Sequence, residues 1–154
     1  MHLISVGTRL PSWAEAGTTE YLKRMPFACP VVLHEVPAVP RSKTTATARA
    51  KAEECARIDA QIPKNAWRIV CDERGKPWTT AALSTHMADW MQSGRDVAIV
   101  VGGADGLTDE LRQSADRLWR LSDLTLPHPL VRVLLAEQLY RAWSLLNNHP
   151  YHRE

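Results

Sequence analysis

The sequence has little that would place it outside ordinary globular chemistry. It has no apolar run near the ~18 residues that a membrane span needs, so a membrane protein is not expected. Its three cysteines, Cys29, Cys55 and Cys71, are odd in number and show no CxxC spacing. That excludes a disulfide scaffold, argues against a zinc site, and fits a reducing cytoplasm. The N-terminal stretch Met1–Gly7 lacks a basic region and is too short for a secretory leader, so it reads as a first strand. No Gly-x-Ser-x-Gly, HExxH, paired-carboxylate, GxGxxG or Walker A pattern occurs, which weakens hydrolase, dinucleotide and nucleotide-triphosphate readings. Strong charge is also missing. Nineteen Lys+Arg stand against 17 Asp+Glu, a formal net charge of +2. A protein that grips naked nucleic acid non-specifically is usually far more basic, so any such partner must be met by a local patch or a shaped surface.

What is present suits one α/β domain over 154 residues, of which 45% are hydrophobic. Short, mostly β-branched runs at Leu3–Gly7, Val31–Pro37, Trp67–Asp72, Val97–Gly102 and Leu121–Leu126 read as strands covered on both faces. Helical patterns separate them, which predicts a mostly parallel sheet of five or six strands with helices on both faces. Ser12-x-x-Glu15 reads as a capping box, with Trp13, Gly17, Tyr21 and Met25 on the buried face behind it. Thr79 or Thr80 opens a helix carrying Leu83, Met87, Trp90 and Met91, which Gly94 ends. Thr108 caps a further helix, with Asp109 and Glu110 in its first turn. The last helix, from about Pro129 to Asn148, is apolar nearly all round. Such a helix must be buried nearly all round, and on that ground a homodimer is expected.

Four segments are candidates for chemistry. Gly102-Gly103-Ala104-Asp105-Gly106 follows a strand and opens a helix, so it is either a ligand loop or a tight turn. Leu121–Arg132 runs into a Pro127-His128-Pro129 corner, where His128 is a base, a hydrogen-bond donor to RNA or a corner residue. The tail Asn147–Glu154 is dense in groups that stack on bases and hold phosphate, and it makes a poor metal site because Pro150 separates His149 from His152. Segment 38–52 holds Arg41, Lys43, Arg49 and Lys51 with no acid, as either a solvated loop or a polyanion contact.

Several motifs occur in order: Val6-Gly7-Thr8, Gly75-Lys76-Pro77-Trp78, Gly94-Arg95-Asp96-Val97, Gly102-Gly103-x-x-Gly106-Leu107, Leu124–Val133 and Tyr140–Ser144, ending in Asn148–Glu154. On these, the whole chain resembles the RlmH family, the small ribosomal RNA methyltransferases of the SPOUT superfamily. The resemblance implies a single domain over residues 1–154 with a C-terminal trefoil knot, a homodimer, and S-adenosylmethionine bound in the knot. It implies methylation of N3 of a pseudouridine in large-subunit (23S) rRNA on the assembled 70S ribosome, in the cytoplasm. It places the cofactor against Gly103 and the loop Ser122, Asp123, Leu124, Thr125, Leu126 and Pro127. Cys71 stands where the family usually has leucine, and Asp123 where a small residue is common.

For catalysis, the candidates that could take the N3 proton or steady the anion are His128, His152 and Arg141. Arg132, Tyr151 and Arg153 are candidates for holding substrate. No metal is expected. Two other readings stand beside this one: a non-catalytic ribosome- or RNA-binding module that keeps the pocket, and a nucleotide-dependent oxidoreductase, which lacks its fingerprint.

Overall fold

A computed structural model describes residues 1–41 and 46–153, apart from the His152 side chain. Lys43, one of the cations of the basic segment, lies outside the described residues.

The elements follow in the order β1 His2–Val6, α1 Ser12–Arg24, β2 Val32–Val36, α2 Thr47–Asp59, β3 Trp67–Pro77, α3 Thr80–Ser93, β4 Val97–Val101, α4 Asp109–Gln113, β5 Arg117–Arg120 and α5 His128–Leu146. A short 3-10 turn over Pro150–Arg153 follows. The five strands form one sheet in the order β2-β1-β4-β3-β5, with every neighbouring pair parallel. A parallel sheet needs cover on both faces. On one face Leu3, Ile69, Val97, Ile99 and Val101 pack with Leu83, Met87 and Trp90 of α3 and Leu135, Leu139 and Ala142 of α5. On the other, Ile4, Val6, Val70, Ala98 and Val100 pack with Cys55 and Ile58 of α2 and Leu111 of α4. β4 is buried at every position because it lies at the centre of both layers.

The structure corrects several sequence expectations. The fifth strand is Arg117–Arg120, and the apolar run at 121–126 is a loop. β5 is an edge strand: Trp119 packs into the layer of α3 and α5 and Leu118 against that of α2 and α4, while Arg117 is exposed and Arg120 half-buried at its two ends. The loop's Leu124 is 75% exposed. At α1 the expected cap fails. Ser12 is already helical, and the Pro11 carbonyl accepts the Ala14 and Glu15 N–H groups at 2.9 and 3.1 Å. The buried face of α1 therefore begins at Ala14 and Thr18, while Trp13 is 56% exposed. Met91 is likewise outside the buried face of α3. The remaining caps follow expectation: Thr79 accepts from the Ala82 N–H, Thr108 accepts from the Leu111 N–H, and Gly94 ends α3 in the left-handed region at φ 66°.

α5 has the apolar circumference expected from its sequence, which meets the sheet on one side and both α1 and α3 on its flanks. The chain itself thus supplies much of the burial that suggested a second subunit. Arg132, fully buried on this helix, donates through Nε to Ser5 Oγ at 2.9 Å and through Nη1 to Glu35 at 2.7 Å. Its Nη2 donates to the carbonyls of Val6 and Gly7. It is an internal strut between α5 and the ends of β1 and β2, so it does not stand ready for substrate. A long cation is tolerated there because all three of its nitrogens have acceptors.

Candidate functional site

At the carboxyl edge of the sheet a cavity of about 570 Å³ opens between β3, β4 and β5. That edge is where open α/β sheets place ligands, and the volume is that of a small-molecule site. Three loops line it: Cys71–Glu73 after β3, Gly102–Leu107 after β4, and Leu121–Leu126 after β5. Trp119, Arg120, Arg112, His128 and Val131 complete the wall.

The glycine loop is shaped by close approach. A Cβ on Gly103 would stand 2.5 Å from Glu54 Oε2, and one on Gly102 would stand 2.7 Å from the Leu107 side chain. Any side chain at either position forces its neighbour away, so the backbone itself forms this wall. The cavity also holds unanswered polar atoms. Trp119 Nε1, Arg120 Nε and His128 Nδ1 are buried and have no hydrogen-bond partner. Buried polar groups normally find partners; Trp119 Nε1 and Arg120 Nε are donors, His128 Nδ1 donates or accepts according to its tautomer, and all three belong to residues of this one cavity wall.

Electrostatics divide the site. Asp72, only 5% exposed in its side chain, accepts from Arg112 Nε at 2.6 Å, and Arg112 Nη1 reaches Asp109 at 2.9 Å. The hydrogen bond to Asp72 raises the Arg112 pKa above its ordinary value. Cys71 faces the cavity while enclosed by protein; burial, helped by the charge of Asp72, pushes its thiol up to about 12. It is a neutral apolar wall group and not a nucleophile. Asp123 points to solvent and pairs with Arg120 at 3.2 Å.

Of the expected cofactor residues, Cys71, Gly103, Ser122, Asp123, Leu124, Thr125 and Leu126 all line this one cavity, although Cys71 lies far from the others in sequence. Pro127 adjoins it as the N-cap of α5, where its carbonyl accepts from Leu130 and Val131. His128 lines it as well. Arg141 and Tyr151 do not. Arg141 lies roughly 20 Å further along α5 at about 1.5 Å per residue. There Glu137 accepts from Arg141 Nε at 2.7 Å and from the Tyr151 hydroxyl at 3.0 Å, and the Arg141 guanidinium stacks 4.8 Å from the Tyr151 ring centroid. Burial and hydrogen bonds with Tyr21 and Glu137 raise the Tyr151 pKa above its usual value. Tyr21, Tyr140, Trp143 and His149 pack around the same spot. Arg153 is exposed at the end of the tail, and the His152 side chain is outside the described residues.

Sequence reasoning missed Trp119, Asp72 and Arg112. Each enters the wall through strand register or a long-range ion pair, and no local spacing announces it. Among the described residues no group of three or more His, Cys, Asp or Glu could hold a metal ion, and no helix is long and apolar enough to cross a membrane.

Comparison with known proteins agrees with this geometry. The family model described as "Predicted SPOUT methyltransferase" matches residues 1–152. The chain is 54% identical over 154 residues to the "Ribosomal RNA large subunit methyltransferase H" of Thioalkalivibrio sulfidiphilus (strain HL-EbGR7), covering 100% of this chain and 99% of that protein. It is 53% identical, with the same coverage, to the protein so named in Hydrogenovibrio crunogenus (strain DSM 25203 / XCL-2). Among solved structures it resembles a probable methylase family protein from Haemophilus influenzae Rd KW20, with TM-score 0.55 and 13% identity over 97% of this chain and 68% of that one. A putative methylase family protein from Neisseria gonorrhoeae gives TM-score 0.53 and 13% identity over 90% and 80%. These last two likenesses concern the fold alone. With a family model over almost the whole chain and full-length relatives above half identity, the chain belongs to the SPOUT methyltransferases, in the large-subunit ribosomal RNA methyltransferase H family.

Proposed function

We propose that this protein is an S-adenosylmethionine-dependent methyltransferase that acts on N3 of a pseudouridine in large-subunit (23S) rRNA, within the assembled 70S ribosome. It works as a single knotted domain over residues 1–154, as a homodimer, in the cytoplasm, and without a metal. The observation that carries the reading is the convergence of the glycine loop and the 121–126 loop on one cavity with unpaired buried polar atoms. The relatives' shared name supplies the RNA.

When bound, the cofactor supplies an electrophilic methyl group. The backbone at Gly103 would border it, and the backbone groups of Ser122 to Pro127 would hold its adenosine part. Cys71 closes the pocket as a smaller wall than leucine, which lowers cofactor affinity without stopping the reaction. With the cofactor bound, the loops at 102–107 and 121–126 would orient its methyl group toward the substrate and limit access of water. The N3 proton must leave as the new bond forms. His128 stands at the cavity with an unpaired Nδ1, in position to take that proton or steady the anion. His152 and Arg141 are the further candidates, with Tyr151 and Arg153 holding RNA.

Within one chain the tail cluster and the cavity lie at opposite ends of α5, so the tail serves the pocket of a second subunit. That separation supports the homodimer better than the apolar girth of α5 does. A near-neutral protein fits a substrate recognised as a shaped ribosomal cleft.

The test is transfer of labelled methyl from S-adenosylmethionine to 70S ribosomes from cells lacking this protein, with separate subunits as control. Label confined to large-subunit RNA of assembled ribosomes is expected. Absence of label, with cofactor binding confirmed, would favour a non-catalytic binder or another RNA.

A further inference from the structure

Arg41 was grouped by sequence with the cations of the basic segment 38–52, yet its guanidinium is already occupied. Its Nε and Nη2 donate to Asp105 Oδ2 at 2.9 and 2.6 Å. Its Nη2 also donates to Glu54 Oε2 at 3.0 Å, and its Nη1 donates to Glu54 Oε1 and to the Val39 carbonyl. Glu54, on α2, is 1% exposed in its side chain, and its only other partner among the described residues is the Val39 N–H at 2.8 Å. The two acceptors do different jobs. Asp105 sits in the glycine loop of the cavity, and Glu54 Oε2 lies against Gly103, the neighbour that a Cβ there would strike. The hydrogen bonds Arg41 donates to Glu54, then those it donates to Asp105, raise its pKa well above the ordinary value, so the cation persists at any working pH.

Leu107 packs beneath Gly102 and the Gly106 N–H donates to the Gly103 carbonyl at 3.0 Å, but Gly103 has no side chain of its own to anchor it against the body of the protein. From this arrangement we infer that Arg41 is a positioning residue for the cofactor loop. By tying Asp105 to the buried carboxylate of Glu54, it holds Gly103 in the conformation that leaves the cavity open. Arg41 touches neither cofactor nor RNA in this role. It spends its donors inside the protein, which leaves Arg49 and Lys51 as the described cations of the segment free to meet a polyanion. The inference rests on the reading that the cavity takes S-adenosylmethionine.

Two variants separate positioning from plain stability. Arg41→Met alone would strand the Glu54 charge in the interior and risk the fold. The pair Arg41→Met with Glu54→Gln removes both charges together and keeps an amide against the Val39 N–H. Asp105→Asn keeps the size of the side chain and weakens the tie. Hydrogen exchange of the ligand-free proteins, read at the amides of residues 102–107 against those of β1 and α3, comes first. Calorimetric titration with S-adenosylmethionine, and the split between KM for the cofactor and kcat, come second.

The loss of charged hydrogen bonds to the loop should raise exchange at 102–107 and the cofactor Kd by about tenfold, with exchange in β1 and α3 unchanged. KM for the cofactor should rise while kcat at saturation is largely kept, and Arg41→Lys should fall between wild type and the paired variant. Unchanged exchange at 102–107, or an equal rise across the whole chain, would overturn the inference. Failure of the wild-type protein to bind S-adenosylmethionine would instead overturn the cofactor reading, and the exchange measurement would still decide the role of Arg41.

Discussion

The two ends of α5 are built in opposite ways. At its N-terminal end, around His128, the surroundings are unfinished: glycines without side chains, a loop with Leu124 exposed, and buried polar atoms on Trp119, Arg120 and His128 with nothing to bind. At its C-terminal end every group shown has company. Glu137 serves both Arg141 and Tyr151, the Tyr140 ring stacks on Trp143 and meets Tyr151 at a tilt, and the Arg24 guanidinium lies 5.5 Å from the Tyr21 ring centroid. One end is arranged to receive a small molecule, and the other to hold its own tail in place. Between them, Arg132 fixes the helix to β1 and β2. The proposed function requires joining two ends that a single copy keeps apart.

The sharpest way to break this contrast is to fill the receiving end. Gly103→Leu places a side chain where even a Cβ would lie 2.5 Å from Glu54, so cofactor affinity should fall by at least about a hundredfold in calorimetry. The tail cluster should remain folded in the same variant.

The strut between the ends comes next. Arg132→Met leaves the Ser5 hydroxyl and the carbonyls of Val6 and Gly7 without their donor. It should cost about 3 kcal/mol in denaturant-induced unfolding, at the low end for a broken buried pair because Glu35 keeps solvent access.

At the holding end, Tyr151→Phe removes one hydrogen bond to Glu137 and should cost about 1 kcal/mol of stability. Cofactor affinity should be untouched, since Tyr151 is not in the cavity wall. A large loss of cofactor binding in this variant would mean that the two ends communicate within one chain.

The smallest effect belongs to Cys71. Its thiol, pushed up to about 12, should resist alkylation at pH 8 in the folded protein. The unfolded thiol ionises first, near pH 9, so folding stability from this group is fully present below that pH and declines as pH rises toward 12. Equal alkylation of folded and unfolded protein would contradict the enclosed wall.

Much of this was legible from residues, for identifiable reasons. β4 is a continuous apolar strand, and β1 is apolar but for His2 and Ser5, because both their faces are covered, and that pattern is local. The segments Gly102–Leu107 and Leu121–Leu126 carry recognisable motifs, and the family resemblance assigns to the cofactor the residues that meet at the cavity. What failed was whatever depends on a distant partner. Arg117-Leu-Trp-Arg does not look like a strand until β3 is beside it, whereas the exposed loop after it does. On α1, Gly17, Tyr21 and Met25 face the interior as expected, with Ala14 and Thr18 beside them, while Trp13 at the first turn is left outside. Arg132 has the composition of a phosphate ligand and the environment of a core residue. The Arg41, Glu54 and Asp105 cluster joins three separate segments, and no spacing within one segment could reveal it.

The claim that a pocket from one copy works with the tail of another is tested most directly by a mixed dimer. Differently tagged subunits are co-expressed, one with Gly103→Leu and an intact tail, the other with an intact pocket and His152→Ala, and the heterodimer is purified through both tags. Each variant should be inactive as a homodimer, while the heterodimer, holding one complete site of two, should methylate ribosomes at about half the wild-type rate. A heterodimer as inactive as its parents would show that each tail serves its own chain, and would contradict the account.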